Sequence, residues 1–218
     1  MTDAEFDRAL VAAAFALAGE RGWRRVSVAE AARRGDLPLD RARARFPVRG
    51  VVLLRFGSLA DQSALAEAQS EAGAEVTPRD KLFALLMRRI DYLQANRDGV
   101  LALLRCLPAN PCLAALLAAA NVRSMGWMLG GAGIEATGPR GRLRAKGLLA
   151  VWLATVHAWR GDGSEDLSAT MAALDRALRR AEQAEGWISG RRPAAEPPPA
   201  EPAGEPAPDL GDDPSQPD

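Results

Sequence analysis

This 218-residue chain holds two cysteines, one histidine, one tyrosine and two lysines, and each scarcity narrows what the chain can be. Cys106 and Cys112 cannot build a disulfide framework, and with His157 as the lone imidazole they fall short of the four ligands of a structural zinc site. Their spacing around Pro108 and Pro111 matches no metal pattern, so both are expected to be reduced, structural thiols. A single histidine on a tryptophan-rich segment reads as a core or pocket residue rather than a general base. Gly-x-Ser-x-Gly, His-Glu-x-x-His and phosphate-cradling loops are missing. The glycines at 130–133 follow a helical stretch, not a strand, and read as a helix terminator. No catalytic residue, metal or cofactor is therefore expected, and the chain is not expected to be an enzyme.

Long apolar runs are missing too. No window of 18 residues is apolar without interruption by charge, so no membrane span or membrane partner is expected. The first residues are acidic, with apolar positions alternating with charge, which is unlike a signal peptide and suggests a cytoplasmic protein. No stretch alternates convincingly as a strand. The fold class expected is all-α.

The charge is balanced, with 28 basic and 28 acidic residues, but unevenly placed. Every basic residue lies within 1–192 together with 21 of the acids, which leaves that part at +7 and the remainder acidic. Residues 193–218 hold nine of the fifteen prolines, no base, and Leu210 as the one large aliphatic. Such a segment cannot bury enough apolar area to offset its ordering entropy, so 189–218 is expected to be a disordered, Pro-rich acidic tail. The basic excess concentrates in residues 21–49, where nine arginines face Glu30, Asp36 and Asp40. A patch of that sign attracts phosphates.

Within that patch the residues order themselves as two short helices around a tight turn. Ser27 and Glu30 have the spacing of a capping box, worth ~1 kcal/mol, and mark the first start. Gly35 and Pro38 stop one helix and open the next. On the second, Leu39, Ala42 and Phe46 share one face, leaving Arg41, Arg43 and Arg45 to point elsewhere. This is the pattern of a helix-turn-helix, in which one helix braces across the DNA backbone and the next enters the major groove. Arg33, Arg34, Arg43 and Arg49 are the candidates for phosphate contacts. Arg41 and Arg45, with Leu39 or Ala44, are the candidates for base edges and thymine methyls, and Ser27 and Pro38 belong to the same surface. The reading requires these guanidinium groups to face outward; pairing with carboxylates or cover by the chain's own body would undo it.

Elsewhere the periodicity is helical. Phe6, Leu10, Ala13 and Leu17 repeat up to Gly22, and residues 51–72 continue with Val52, Phe56 and Leu59 along one face, ending before Gly73. Thr77 and Pro78 form a start signal for a helix carrying Leu82, Leu85, Leu86, Arg89 and Leu93. Pro111 opens a helix running to 129, another covers 140–160, and Ser164 is placed as the cap of a last helix bearing Leu167, Met171, Leu174 and Leu178. The organisation expected is a helix-turn-helix DNA-binding domain over 1–50 and a helical ligand-binding and dimerisation domain over 51–188.

The order of parts resembles the TetR family of bacterial regulators. The resemblance lies in Ala12, Ala13, Ala14, Leu17, Gly22, Ser27, Val28, Ala31, Ala32, Phe46 and Arg49, followed by an all-helical domain. Departures fall at Asp36, where the family favours Gly, at Pro38, where it favours Ser or Thr, at Arg43, where it favours Tyr, and at Arg45, where it often has His. The segment 146–155, with Trp159, Asp162, Ser164, Thr170, Leu174, Asp175 and Arg176, is similar both to TetR regulators and to ubiquinone-biosynthesis lipid-binding proteins of the same fold. The first resemblance implies a sequence-specific, ligand-responsive repressor bound to a double-stranded DNA operator. The second implies a lipid or isoprenoid carrier with a degenerate helix-turn-helix.

A homodimer reading two half-sites about 34 Å apart is expected, with Trp152, Thr155, Val156 and Trp159 on one long helix and the Leu167 to Leu178 stripe on the next as its interface. A cavity for a hydrophobic small molecule is expected between the middle helices, lined by Leu86, Ile90, Leu103, Leu104, Trp127, Met128, Trp152 and His157.

Overall fold

A computed structural model describes residues 1–70 and 77–188, with the side chains of all of these except 67–70 and 185–188. The tail expected over 189–218 and the end signal at Gly73 lie outside the described residues. Among those residues there are nine α-helices and no strand: α1 (Asp3–Arg21), α2 (Val28–Arg34), α3 (Leu39–Arg45), α4 (Arg49–Ser70), α5 (Pro78–Gln94), α6 (Arg97–Cys106), α7 (Pro111–Gly131), α8 (Gly138–Gly161) and α9 (Ser168–Ile188). The class is all-α.

Local chemistry sets most of the boundaries. The Ser27 hydroxyl accepts the Glu30 N–H at 3.2 Å while the Glu30 carboxylate accepts the Ser27 N–H at 3.2 Å, completing the box that starts α2. Thr2 and Glu5 repeat the arrangement at α1, and Thr77 with Pro78 opens α5. Two expected signals act differently. Gly35 has φ −86°, and the left-handed residue of the turn is its neighbour Asp36, at φ 49°. Ser164 does not cap the last helix: α9 starts at Ser168, and Ser164 instead donates its hydroxyl to Asp162 Oδ1 at 2.5 Å. Asp162 Oδ2 accepts from both the N–H and the hydroxyl of Thr170, at 2.8 and 2.7 Å, so one carboxylate ties the α8–α9 loop to the first turn of α9.

One continuous apolar core runs from Phe6 to Leu178. An aromatic chain joins the N-terminal helices to the body: Phe15 stacks on Phe56 at 3.9 Å and lies 5.4 Å from Trp23, while Phe56 lies 5.1 Å from Tyr92. At the crossing of α1 and α6, a Cβ added to Gly99 would sit 2.3 Å from the Phe15 carbonyl oxygen. Only hydrogen fits between those backbones, so the close approach fixes how α1 rests on α6. The first three helices are thereby held on the same core that α4 to α9 enclose.

Burial corrects the expected dimer stripe. Trp152, Thr155, Trp159, Leu167, Leu174 and Leu178 are all buried within their own subunit, because α8 and α9 pack face to face through them. The exposed apolar side chains lie on other faces: Leu143 and Leu153 of α8, and Leu116 and Trp127 of α7. Helix α7 is also long and apolar enough by length and hydropathy to cross a membrane, with only 22% of its most apolar window buried.

Candidate nucleic-acid interface

The second helix of the turn is held by charge as well as by its apolar side. Ala42 and Phe46 are buried, but Leu39, expected beside them, is 47% exposed at the open end of α3. Arg41 and Arg45, four residues apart, lie on one edge, and that edge turns toward α1. Arg45 donates from Nε to Asp7 Oδ1 at 2.7 Å and from Nη2 to Asp7 Oδ2 at 2.8 Å, and its Nη1 reaches Asp3 Oδ2 at 2.6 Å. Arg41 donates to Asp3 Oδ1 at 2.5 Å, and its guanidinium sits 4.5 Å from the centre of the Phe6 ring. Arg55 of α4 adds a third cation, 3.0 Å from Asp7. Asp7 is almost wholly buried, and its two hydrogen bonds hold the Arg45 guanidinium protonated well above the ordinary arginine range. The hydrogen bond from Arg41 lowers the Asp3 carboxyl below its ordinary value.

For Arg41 and Arg45 the condition of free guanidinium groups therefore fails. Both are folded back on carboxylates of α1, and the base-edge role expected of them is corrected to one of clamping α3 onto α1. Arg34 is also paired, with Glu20 at 2.6 Å. The remaining candidates present themselves differently. Arg33 is exposed with no carboxylate beside it, and Arg43 is exposed with Nη1 donating to the Pro47 carbonyl at 3.0 Å. Arg49 opens α4 and donates to the Arg24 carbonyl at 3.2 Å, which brings Arg24 and Arg49 together. Ser27, Pro38 and Ala44 are exposed, Ser27 with its hydroxyl engaged in the cap.

The outward edge of α3 is thus Leu39, Asp40, Arg43 and Ala44. On the segments that flank α3, Arg24, Arg25, Arg33 and Arg49 are all exposed and none is paired with a carboxylate among the described residues. Clamp and edge are two sides of one helix: the α1 carboxylates neutralise its inner cations while its outer cation and those of the flanking segments stay in solvent.

The expected ligand lining divides as well. Leu86, Ile90, Leu103, Met128 and Trp152 are buried together in the core and Leu104 is half-buried, whereas Trp127 is 62% exposed and His157 lies on the solvent side of α8. Those two side chains point away from the others and do not line the same space. Charged groups also enter that core, among them the Arg89 that the stripe of α5 carries between its leucines. Arg89, 4% exposed, stacks 4.5 Å from the Trp152 ring and lies 3.0 Å from Asp61, which accepts the Ser124 hydroxyl at 2.6 Å. An open cleft of about 380 Å³ lies elsewhere, against Arg79, Phe83, Met171 and Asp175.

No family model matches the chain, and no curated protein matches it by sequence. Solved structures do match. A TetR transcriptional regulator from Nitrosomonas europaea ATCC 19718 superposes with a TM-score of 0.65 at 22% identity, over 81% of this chain and 98% of that one. A TetR transcriptional regulator from Rhodococcus sp. RHA1 gives 0.50 at 18% identity, over 84% and 97%. A transcriptional regulator from Rhodococcus sp. Rha1 gives 0.50 at 21% identity, over 82% and 96%. The chain has the all-α fold of TetR transcriptional regulators along most of its length.

Proposed function

We propose that the chain is a sequence-specific, DNA-binding transcriptional regulator of the TetR type, a ligand-responsive repressor that acts as a homodimer in the cytoplasm. The observation that carries this reading is the outward edge of α3 with its exposed Arg43, together with exposed Arg24, Arg25, Arg33 and Arg49 on the flanking segments, all five without carboxylate partners among the described residues. Arg33, Arg43 and Arg49 supply phosphate contacts that set the position of the domain on the duplex, with Arg24 added to them by its contact with Arg49. Base reading passes to Leu39, Asp40, Arg43 and Ala44. Leu39 and Ala44 suit thymine methyls, and an outward Asp40 suits the amino group of cytosine.

The dimer reading moves from the buried stripe to the other side of α8, where Leu143, Gly147, Ala150, Leu153, Ala154 and His157 follow one another at helical spacing in solvent. Small residues there allow close helix approach, and an apolar stripe of this kind is normally covered. Leu153→Glu is expected to convert dimer to monomer in sedimentation and to weaken operator binding at the same time.

A second reading, a lipid or isoprenoid carrier on the same fold, is favoured by the clamp on Arg41 and Arg45, since a helix locked through two of its three arginines has less left for a groove. Titration of the protein against the DNA upstream of its own gene at several salt concentrations, with mass spectrometry of whatever co-purifies, separates the two. Specific, salt-dependent binding supports the regulator. A tightly held isoprenoid with no measurable DNA affinity supports the carrier.

A further inference from the structure

The buried cluster around Arg89 draws on four helices: Asp61 from α4, Arg89 from α5, Asn121 and Ser124 from α7, and Trp152 from α8. A guanidinium offers five N–H donors and accepts nothing. In Arg89, Nη2 donates to Asn121 Oδ1 at 3.1 Å and Nε lies 3.0 Å from Asp61 Oδ1 as an ion pair without a hydrogen bond, while Nη1 is buried with no hydrogen-bond partner at all. The Ser124 hydroxyl donates to that same Asp61 Oδ1. Burial pushes the Asp61 carboxyl above its ordinary value and the Arg89 guanidinium below its own, so the pair only partly compensates itself. What the cluster lacks is an acceptor; the indole of Trp152 lies against its guanidinium, and Leu86, Ile90 and Met128 are buried in the same core. Asp61 and Asn121 are only half-buried and border the cluster on its solvent side.

We propose that this cluster is the receptor for the acidic head of a small ligand, a monocarboxylate with an apolar body, whose carboxylate takes the unpartnered Nη1 of Arg89 while the body lies against Trp152 and the neighbouring aliphatic side chains. A planar guanidinium matches a carboxylate better than a neutral amide or alcohol, because charge adds to each hydrogen bond. The inference rests on the reading of the chain as ligand-responsive and names the chemistry of the ligand, which the apolar lining alone would have left hydrophobic and neutral. It also supplies a route for response. Asp61 and Arg49 belong to the same helix, so a carboxylate that competes with Asp61 for Arg89 acts on the element whose first residue touches the arginine patch.

The test uses the full chain and matched probes: decanoate, phenylacetate and indole-3-acetate, each beside its primary amide, titrated by calorimetry and by tryptophan fluorescence. At least one acid is expected to bind ten-fold or more tightly than its amide, and Arg89→Met, checked for folding by circular dichroism, is expected to abolish that preference. Arg89→Lys is expected to retain part of it. If no acid is preferred over its amide by the unaltered protein, a result that needs no variant, the proposal is overturned. Preference that survives Arg89→Met in folded protein overturns it also. Operator binding is read separately with and without the bound acid. An acid held through Arg89 that leaves DNA affinity unchanged refutes the regulatory reading and leaves the head-group site standing.

Discussion

Arg45 and Asp7 meet as a two-pronged pair, Nε to Oδ1 at 2.7 Å and Nη2 to Oδ2 at 2.8 Å, between the helix expected to enter DNA and the helix beneath it. A planar fork against a carboxylate fixes orientation as well as distance, so the pair sets the rotation of α3 about its axis. It thereby selects which residues of α3 look outward.

The carboxylate of this pair is the more consequential partner because it is buried and serves two cations. Asp7→Asn leaves Arg45 and Arg55 facing an amide that has one acceptor in place of two. Unfolding in urea is expected to show a loss of about 1–3 kcal/mol, the usual cost of stranding groups that a buried acceptor had satisfied. Stability equal to that of the unaltered chain would mean that α3 is held by Ala42 and Phe46 alone.

Arg43 and Arg41 are expected to separate contact from support. Arg43→Ala should weaken operator binding and reduce the salt slope by about one unit, as for loss of one phosphate contact. Arg41→Ala should leave the slope unchanged and act on folding instead. Equal slopes for the unaltered protein and Arg43→Ala would remove Arg43 from the contact surface.

Asp36 occupies the left-handed region at φ 49°, where a side chain costs energy that glycine avoids. Asp36→Gly is expected to raise stability by up to about 1 kcal/mol, measured by thermal unfolding, and to strengthen DNA binding by removing an exposed negative charge from the turn. A loss of stability would show that the aspartate contributes to the turn something beyond its backbone shape.

Asp162 is held below the ordinary carboxylate range, first by the Ser164 hydroxyl and next by that of Thr170, with backbone N–H groups adding to both. A carboxyl depressed on folding contributes stability above its unfolded value near 4 and loses that contribution as the pH falls through the acid range. Each oxygen accepts two donors, so an amide nitrogen would oppose one of the two pairs. Asp162→Asn is expected to lower the urea midpoint at pH 6 and to flatten its fall between pH 6 and pH 3. A parallel pair of curves would place the acid sensitivity elsewhere.

Much of the clamp was written in the chain. Asp3 and Asp7 are four apart, as are Arg41 and Arg45, and both spacings put two like charges on one helix face. What local reading lacked was the knowledge that the two faces meet, since the partners are 38 residues apart and nothing within either helix refers to the other. Arg89 offered a similar sign, a lone cation inside the stripe Leu82, Leu85, Leu86 and Leu93, where a charge is costly without partners. Trp127 misled in the opposite direction: a large aromatic at helical spacing normally turns inward, and here it is exposed.

Helix type, the capping boxes at Thr2 and Ser27, the start at Thr77 and Pro78 and the arginine excess of 21–49 are consequences of neighbours in sequence, because hydrogen bonds across three residues and apolar repeats of three to four need no distant partner. Which side of each helix is covered depends on how α1, α3, α8 and α9 stack, and that stacking is a sum of contacts between distant segments. It is why Arg45 became a clamp, why the Trp152 to Trp159 stripe went to the interior, and why the outward edge of α3 begins with Leu39.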